Sequence, residues 1–146
     1  MNIRQAKPSD LDGVVALGLE ALRNDPYEGL VISEQRCREV ARNAISSPSD
    51  FCWVCEADDG EIVGSVMAIV TPIMFYERKQ ATVVQFYCKA PGYGVKLLRQ
   101  LLAWCRGRRI IRMVVFTLEV RADPRIGKLL RRLGLTSELP VYMKIL

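Results

Sequence analysis

Residues 81–105, ATVVQFYCKAPGYGVKLLRQLLAWC, change their pattern once, and this change decides the fold. Up to Cys88 the stretch is rich in β-branched and aromatic residues, which is typical of a strand. From Val95 onward leucines recur at helical spacing, which predicts a helix. Gly92 and Gly94 lie in the loop between the two. The loop is either an ordinary turn or a helix N-terminus prepared for an anion.

Three strands are predicted before this helix. Residues 51–72, FCWVCEADDGEIVGSVMAIVTP, contain two apolar runs on either side of Asp59-Gly60, a dipeptide that favours a tight hairpin turn. The run 81–88 adds a third strand. The sequence therefore predicts an antiparallel meander that leads directly into the glycine loop.

The flanking segments complete an α+β pattern, in which helices and strands pack in separate layers around one sheet. They predict a strand at 1–6, a first helix from Ser9 or Asp10 to Leu22 and a second helix that ends at about Ser46. After the glycine loop and its helix, they predict a strand at 111–120, a helix that begins at Asp123-Pro124 and ends at Gly134, and a final strand at 139–146. We expect one domain over residues 1–146, with about four helices and a mostly antiparallel sheet.

Composition places the chain among ordinary globular proteins, with 50% hydrophobic and 25% charged residues. The start, MNIRQAKPSDLDG, has no apolar run after its charges, so we do not expect a secretory signal. The longest apolar run, 62–70, is far shorter than the roughly 20 residues of a membrane-spanning helix. We expect a cytoplasmic protein with no membrane partner.

Charge is unevenly distributed along the chain. Residues 1–88 contain eight Lys and Arg against thirteen Asp and Glu, whereas residues 89–132 contain twelve against two. This asymmetry suggests an anionic partner for the second half. The partner is either a nucleic acid or a small molecule with several phosphates.

The five cysteines are scattered, which is typical of a reducing compartment. Cys52 and Cys55 form a C-x-x-C that is compatible with zinc or redox chemistry, but the chain has no histidine and no second C-x-x-C. In a strand, residues three apart point to opposite faces. We therefore interpret both cysteines as core residues and expect no metal.

Two common nucleotide-binding loops do not fit the glycine loop. A P-loop closes with Gly-Lys-Ser/Thr, and here Val95 follows Gly94. A dinucleotide fold requires a third glycine, where this chain has Leu97, and a parallel sheet around the loop.

A third pattern fits. KAPGYGVKLL, residues 89–98, resembles the acyl-CoA signature of the GNAT-type N-acetyltransferases, Arg/Gln-x-x-Gly-x-Gly/Ala before a leucine-rich helix. Lys89 stands where arginine or glutamine is usual. The order of elements also resembles that family, and KLLRRLGL, residues 128–135, is similar to its closing L-Y-E-K-L-G-F. We therefore interpret the loop as a phosphate cradle.

The resemblance implies a GNAT fold, α/β/α-like, whose fourth and fifth strands splay apart to admit acetyl-CoA. By this resemblance the coenzyme contacts fall in three groups: Phe86, Tyr87 and Cys88 for pantetheine; Lys89, Gly92, Tyr93, Gly94, Val95 and Lys96 for the pyrophosphate; and Asp123, Lys128 and Arg131 on the closing helix, the last two for the 3′-phosphate. No metal is implied, since amides and lysines meet the anion. The register of the fourth strand stays open between an end at Cys88 and one near Val84.

The implied reaction is direct attack of a neutral amine on the thioester. Many family members place an acidic tyrosine where this chain has Leu130. Glu119 is a candidate base, or alternatively a surface carboxylate. Tyr87, Cys88 and Tyr142 are candidate acids, or alternatively packing and coenzyme contacts.

The acceptor is expected near Tyr27, Glu28 and the segment 136–142. The acceptor's identity is open among small molecules, proteins and modified nucleic acids, and a homodimer is also left open. The alternative function is a non-catalytic acyl-CoA-binding or nucleic-acid-binding module on the same fold. It draws on the missing tyrosine and on the arginine-rich CRGRRIIRM, residues 105–113.

Overall fold

The computed structural model describes residues 1–24, 26–118 and 123–146. The chain begins with a strand and a short 3-10 turn at Pro8–Asp10, followed by two helices, three strands, a helix, a strand and a last helix. The strands are β1 (Asn2–Gln5), β2 (Phe51–Glu56), β3 (Ile62–Pro72), β4 (Lys79–Cys88) and β5 (Ile111–Phe116). The helices are α1 (Leu11–Asn24), α2 (Glu34–Ser46), α3 (Tyr93–Arg106) and α4 (Pro124–Arg132).

The strands form one mixed sheet in the order β1-β2-β3-β4-β5. Neighbours are antiparallel except β4 and β5, which are parallel and are joined through α3. The predicted α+β class, the meander and the turn at Asp59-Gly60 are confirmed. β4 ends at Cys88, which resolves the register that the sequence left open.

The predicted final strand at 139–146 is wrong. This segment contains no strand, and its apolar side chains lie in solvent, with Leu139 84% and Tyr142 91% exposed. A strand requires a neighbouring backbone as well as a suitable pattern. Pro140 also lacks the N–H that a ladder needs.

The core is divided between the two faces of the sheet. One cluster packs α1 and α2 against the sheet and contains Cys52, while the other packs α3 and α4 against the opposite face and contains Cys55. The prediction that these cysteines are core residues on opposite faces is confirmed. Burial raises the pKa of the Cys52 thiol to about 12.

A β-bulge lies in the middle of β4. Met67 of β3 pairs with Gln85 and Ala68 pairs with Val83, so Val84 has no partner on β3. The bulge reverses the alternation of side chains, and Gln85 therefore faces α1, where its amide donates to the Val14 carbonyl at 3.1 Å. The last β4–β5 pair is Val83 with Phe116.

The two strands therefore separate at the bulge. Beyond it, residues 84–88 of β4 have no β5 partner in the part of the chain that the structure describes. The ring centroids of Phe86 and Phe116 are still 5.7 Å apart, so these two side chains remain in contact where the backbone ladder ends. The predicted splay of the fourth and fifth strands is confirmed.

A charged cluster fixes the N-terminus on the sheet. Arg4 donates to Asp10 at 2.6 and 2.9 Å and to Glu56 at 2.8 Å. Asp10 also accepts from the Lys7 backbone N–H and is only 7% exposed. The Arg4 guanidinium holds the pKa of the Asp10 carboxyl below its usual value.

Candidate functional site

An open groove of about 400 Å³ lies where β4 leaves β5. Its walls are the end of β4, the loop into α3 and the first turns of α3 and α4. Seven residues that the sequence singled out line it: Phe86, Tyr87, Cys88, Gly92, Gly94, Val95 and Asp123. The lining that sequence reasoning missed is Ala90, Pro91, Arg125, Ile126 and Leu129.

The two glycines of the loop serve different purposes. Gly92 is the N-cap of α3 and has φ of 78°, a left-handed conformation that glycine adopts without strain. A Cβ built on Gly92 would meet no atom within 4 Å, so its missing side chain leaves open space over the helix N-terminus. At Gly94 a Cβ would lie 3.1 Å from the Phe86 ring, so this glycine allows α3 to pack closely on β4.

The α3 N-terminus is suited to an anion. The first N–H groups of a helix have no partner within the helix, and the helix dipole places a partial positive charge there. The first turn of α3 contains no acidic residue, and Gly92 offers no capping side chain. Gly92, Gly94 and Val95 line the groove. The Tyr93 N–H already donates to the Ala90 carbonyl at 3.2 Å, so the remaining N–H groups of this turn are the ones that could bind a phosphate.

The N-terminus of α4, at the other wall, is already capped. The Asp123 carboxylate accepts from the Arg125 backbone N–H at 2.9 Å and pairs with the Arg125 guanidinium. Hydrogen bonds from Arg125 hold the pKa of Asp123 below its usual value. This carboxylate is therefore a capping group, and α3 rather than α4 is the candidate site for an anion.

The predicted cationic contacts are dispersed. Lys96 Nζ lies 4.1 Å from the centroid of the Tyr93 ring, beside the loop. Arg131 is bound to Glu138 at 2.9 Å, and Lys128 is exposed. Lys89 faces α1, where its Nζ lies 2.7 Å from Glu20 Oε2.

Glu20 is a site residue that sequence reasoning missed. It accepts from the Tyr87 hydroxyl at 3.0 Å as well as from Lys89. The Lys89 ammonium and then the Tyr87 hydroxyl hold the pKa of Glu20 below its usual value. The signal available in the sequence was that Glu20 is the one charged residue within 13–22, an otherwise apolar stretch.

The candidate acids are constrained by their partners. Donation to Glu20 raises the pKa of Tyr87, so its proton is held on the α1 side. The Cys88 thiol donates to the Ala90 carbonyl at 3.4 Å, and burial raises its pKa. On α4, Leu130 is buried in the core while Leu129 lines the groove, so neither brings a proton donor.

The remaining predicted residues lie away from the groove or outside the description. Glu119 falls outside the described residues. Tyr142 is on the exposed terminal segment, and Tyr27 and Glu28 lie in the connection between α1 and α2. The structure therefore brings most of the predicted coenzyme contacts together in one groove, whereas the predicted catalytic and acceptor residues are mostly not in it.

Neither a cluster of metal-ligating side chains nor a membrane-spanning helix occurs in the described part of the chain. Residues 1–24, 26–118 and 123–146 contain no group of three or more His, Cys, Asp and Glu side chains able to hold a metal ion. Across the same ranges, every helix is too short or too polar to cross a membrane.

Comparisons with known proteins place these features in a family context. The model of the acetyltransferase (GNAT) family matches residues 18–135. No protein with a curated description matches the sequence significantly.

Solved structures resemble the whole chain at low sequence identity. An acetyltransferase of the GNAT family from Streptococcus pneumoniae matches with a TM-score of 0.70 and 20% identity, covering 91% of this chain and 82% of its own. Two aminoglycoside acetyltransferases from uncultured soil metagenomic samples match with TM-scores of 0.71 and 0.70 at 17% and 14% identity. Each match covers 99% of this chain, and it covers 97% of the first aminoglycoside acetyltransferase and 95% of the second. The second of these structures is a complex with sisomicin. At this identity the likeness concerns the fold.

Proposed function

Because the chain belongs to the acetyltransferase (GNAT) family, we propose that it transfers an acetyl group from acetyl-CoA to a primary amine by direct attack in a ternary complex. The observation that carries this proposal is the open groove at the β4–β5 separation, which meets the uncapped N-terminus of α3. The five free thiols fit a reducing compartment, so we place the reaction in the cytoplasm.

The coenzyme fits the groove through backbone groups. Beyond the bulge, the edge of β4 at Phe86–Cys88 would pair with the amides of pantetheine. The pyrophosphate would lie on the N–H groups from Gly92 to Lys96, in the space that the missing Cβ of Gly92 leaves open. Lys128 is exposed on α4 and is our candidate for the 3′-phosphate, with Arg131 as a second contact.

The chemistry requires mainly positioning. The amine nitrogen attacks the thioester carbon, the C–N bond forms, the C–S bond breaks and coenzyme A leaves as a thiolate. A base takes the ammonium proton, and we propose Glu119 for this role, directly or through water. Tyr87 and Tyr142 are the candidate donors to the thiolate. Because a thiolate is a good leaving group, solvent could also supply this proton.

The acceptor that we propose is a cationic amine. Glu20 lies at the α1 side of β4, and Glu28 lies in the loop that follows α1. The Glu28 carboxylate would attract a positively charged amine, whereas the charge of Glu20 is already compensated by Lys89. Since two structural neighbours act on aminoglycosides, we include sisomicin among the first acceptors to test.

Thermal unfolding tests coenzyme binding. A ligand that binds only the native state raises its stability by mass action. We expect stabilisation by acetyl-CoA and coenzyme A, and less by 3′-dephospho-coenzyme A. An amine panel with detection of released thiol then tests transfer. Absence of any shift at several millimolar coenzyme, above the range of roughly 1 μM to 1 mM in which the KM values of enzymes usually lie, would reject the coenzyme proposal.

A non-catalytic acyl-CoA-binding module is the second candidate. It is favoured by Leu129 and Leu130, which leave α4 without a proton donor, and by the commitment of the Tyr87 hydroxyl to Glu20. Stabilisation by acetyl-CoA with no thiol release for any amine in the panel would support this module over the enzyme.

A further inference from the structure

A second feature lies at the opposite end of the sheet from the groove. The turn between β3 and β4 carries three consecutive exposed apolar side chains, Met74, Phe75 and Tyr76, which we call the aromatic tip. They are 73%, 95% and 72% exposed. Phe75 has φ of 70°, a left-handed conformation that is strained for a residue with a Cβ. The turn is closed by the Ile73 N–H, which donates to the Arg78 carbonyl at 2.8 Å.

Cations surround the base of this turn. The Lys79 N–H donates to the Ile110 carbonyl at 2.8 Å, so the start of β4 lies beside the loop between α3 and β5. That loop and its flanks carry the arginine-rich stretch that the coenzyme site does not use. We call the following six residues the basic end: Arg78, Lys79, Arg106, Arg108, Arg109 and Arg112.

The basic end is not neutralised by paired carboxylates among the described residues, although Glu77 lies in the same turn beside Arg78. Within the described ranges, none of its six members forms a salt bridge, whereas Arg4, Arg38, Lys89, Arg125 and Arg131 all do. Arg108 instead lies over the Trp104 ring, with its guanidinium carbon 3.9 Å from the ring centroid. Unpaired cations held close together repel one another, and an anionic partner would relieve this repulsion.

We propose that the aromatic tip and the basic end form a binding surface for single-stranded nucleic acid. Arginine forks bind phosphates and also stack on bases. Exposed aromatic rings accept unpaired bases without regard to sequence. Five of the six cations are arginine, and two of the three tip residues are aromatic, which is the combination that such strands require. A duplex keeps its bases stacked inside and offers nothing to the rings.

An anionic bilayer is the other partner that cations and apolar side chains could serve. The surface favours nucleic acid because its arginines run along the α3–β5 loop to Arg112 on the β5 edge, away from the tip. A bilayer would meet the tip and the cations nearest to it, and it would not discriminate between an aromatic and an aliphatic side chain of similar size.

Fluorescence anisotropy with the full chain tests the proposal. The probe is a labelled mixed-sequence strand of about 20 nucleotides, longer than the roughly 4–16 nucleotides that one such site covers. Six phosphate contacts predict that log K falls with log salt with a slope of about −4. R106Q/R109Q/R112Q should reduce this slope to about −2, while R23Q/R36Q/R42Q on α1 and α2, with the same change in charge, should leave it near −4.

A second pair of variants separates stacking from apolar insertion. F75L/Y76L keeps the apolar surface and removes the rings, so we expect strand affinity to fall at least tenfold. L30A/V31A, two exposed apolar residues elsewhere, should have no effect. The titration is made with an RNA strand and with a DNA strand to identify which of the two nucleic acids the surface binds. Thermal unfolding checks that every variant is folded.

Three results would overturn the proposal. The first is equal loss in the two arginine triples, since binding would then follow net charge alone. The second is binding of a duplex as tight as that of the strand. The third is binding to phosphatidylserine vesicles that survives F75L/Y76L with no strand binding, which would assign the surface to a bilayer. None of these readouts depends on coenzyme binding.

Discussion

Replacement of Gly92 by alanine separates backbone strain from coenzyme binding. Gly92 has φ of 78°, and a Cβ there would enter open space rather than another side chain. The strain of a left-handed alanine is about 1 kcal/mol, which lowers the Tm by roughly 2–4 °C for a chain of this size. Gly60, in the β2–β3 turn, has φ of 89° and the same open surroundings, so Gly60→Ala is a matched control.

The two variants should differ when the coenzyme is added. At about 100 times its Kd, acetyl-CoA stabilises the native state by about 2.7 kcal/mol, which raises the Tm by roughly 5–11 °C. Gly60→Ala should keep this shift. In Gly92→Ala the methyl group keeps phosphate from the α3 amides, and loss of one hydrogen bond to a charged group, about 1.5–3 kcal/mol, weakens binding by roughly 10- to 100-fold.

Thermal unfolding across a coenzyme titration measures both effects at once. Equal Kd values for Gly92→Ala and Gly60→Ala would refute the inference that the α3 N-terminus holds the pyrophosphate. A fall in Tm for Gly92→Ala with no fall for Gly60→Ala would refute the assignment of the destabilisation to left-handed strain.

Three further outcomes are expected. Asp10→Asn removes a nearly buried partner of Arg4 and should lower the free energy of unfolding, measured in urea, by about 2–4 kcal/mol. Because the pKa of Asp10 is depressed, this difference between variant and parent should persist above pH 3.8, the usual value, and shrink as the pH falls further. A difference that does not change with pH would contradict the pairing. Tyr87→Phe should lower kcat less than tenfold because the hydroxyl proton is held by Glu20, whereas a loss of more than about a hundredfold would identify the catalytic acid. Cys52 should resist a thiol reagent at about pH 8 in the native protein and react after unfolding, as mass spectrometry can detect. Rapid labelling of the native protein would contradict the burial of this thiol.

Local signals in the sequence were sufficient for most of the fold. The turn at Asp59-Gly60 and the change of period after Cys88 each depend on residues close together in the chain, and both are confirmed. That the two C-x-x-C cysteines lie on opposite faces of the sheet also follows from strand geometry alone. The conformation of Gly92 is a local backbone constraint, whereas Gly94 acts through the close packing of α3 on Phe86, which is a tertiary contact.

Long-range contacts could not be read in the same way. Alternation gives no sign of which β4 residue lacks a partner, so the bulge at Val84 was not predicted. The pairing of Lys89 with Glu20 joins residues 69 positions apart and has no local signal, whereas the resemblance to the acyl-CoA signature assigns Lys89 to the pyrophosphate. The predicted final strand failed for a related reason, since a favourable pattern does not supply a neighbouring strand.

The short parallel ladder between β4 and β5 also has a consequence for the order of folding. Its pairs join Lys79 to Ile111 and end at Val83 with Phe116, so each closes a loop of more than thirty residues, whereas the β2–β3 turn closes within a few. Contacts of long sequence separation form late and open first. We therefore expect β5 to dock after the meander has formed and to exchange its amide hydrogens faster than β2 and β3. The groove would then be completed only after the meander has formed.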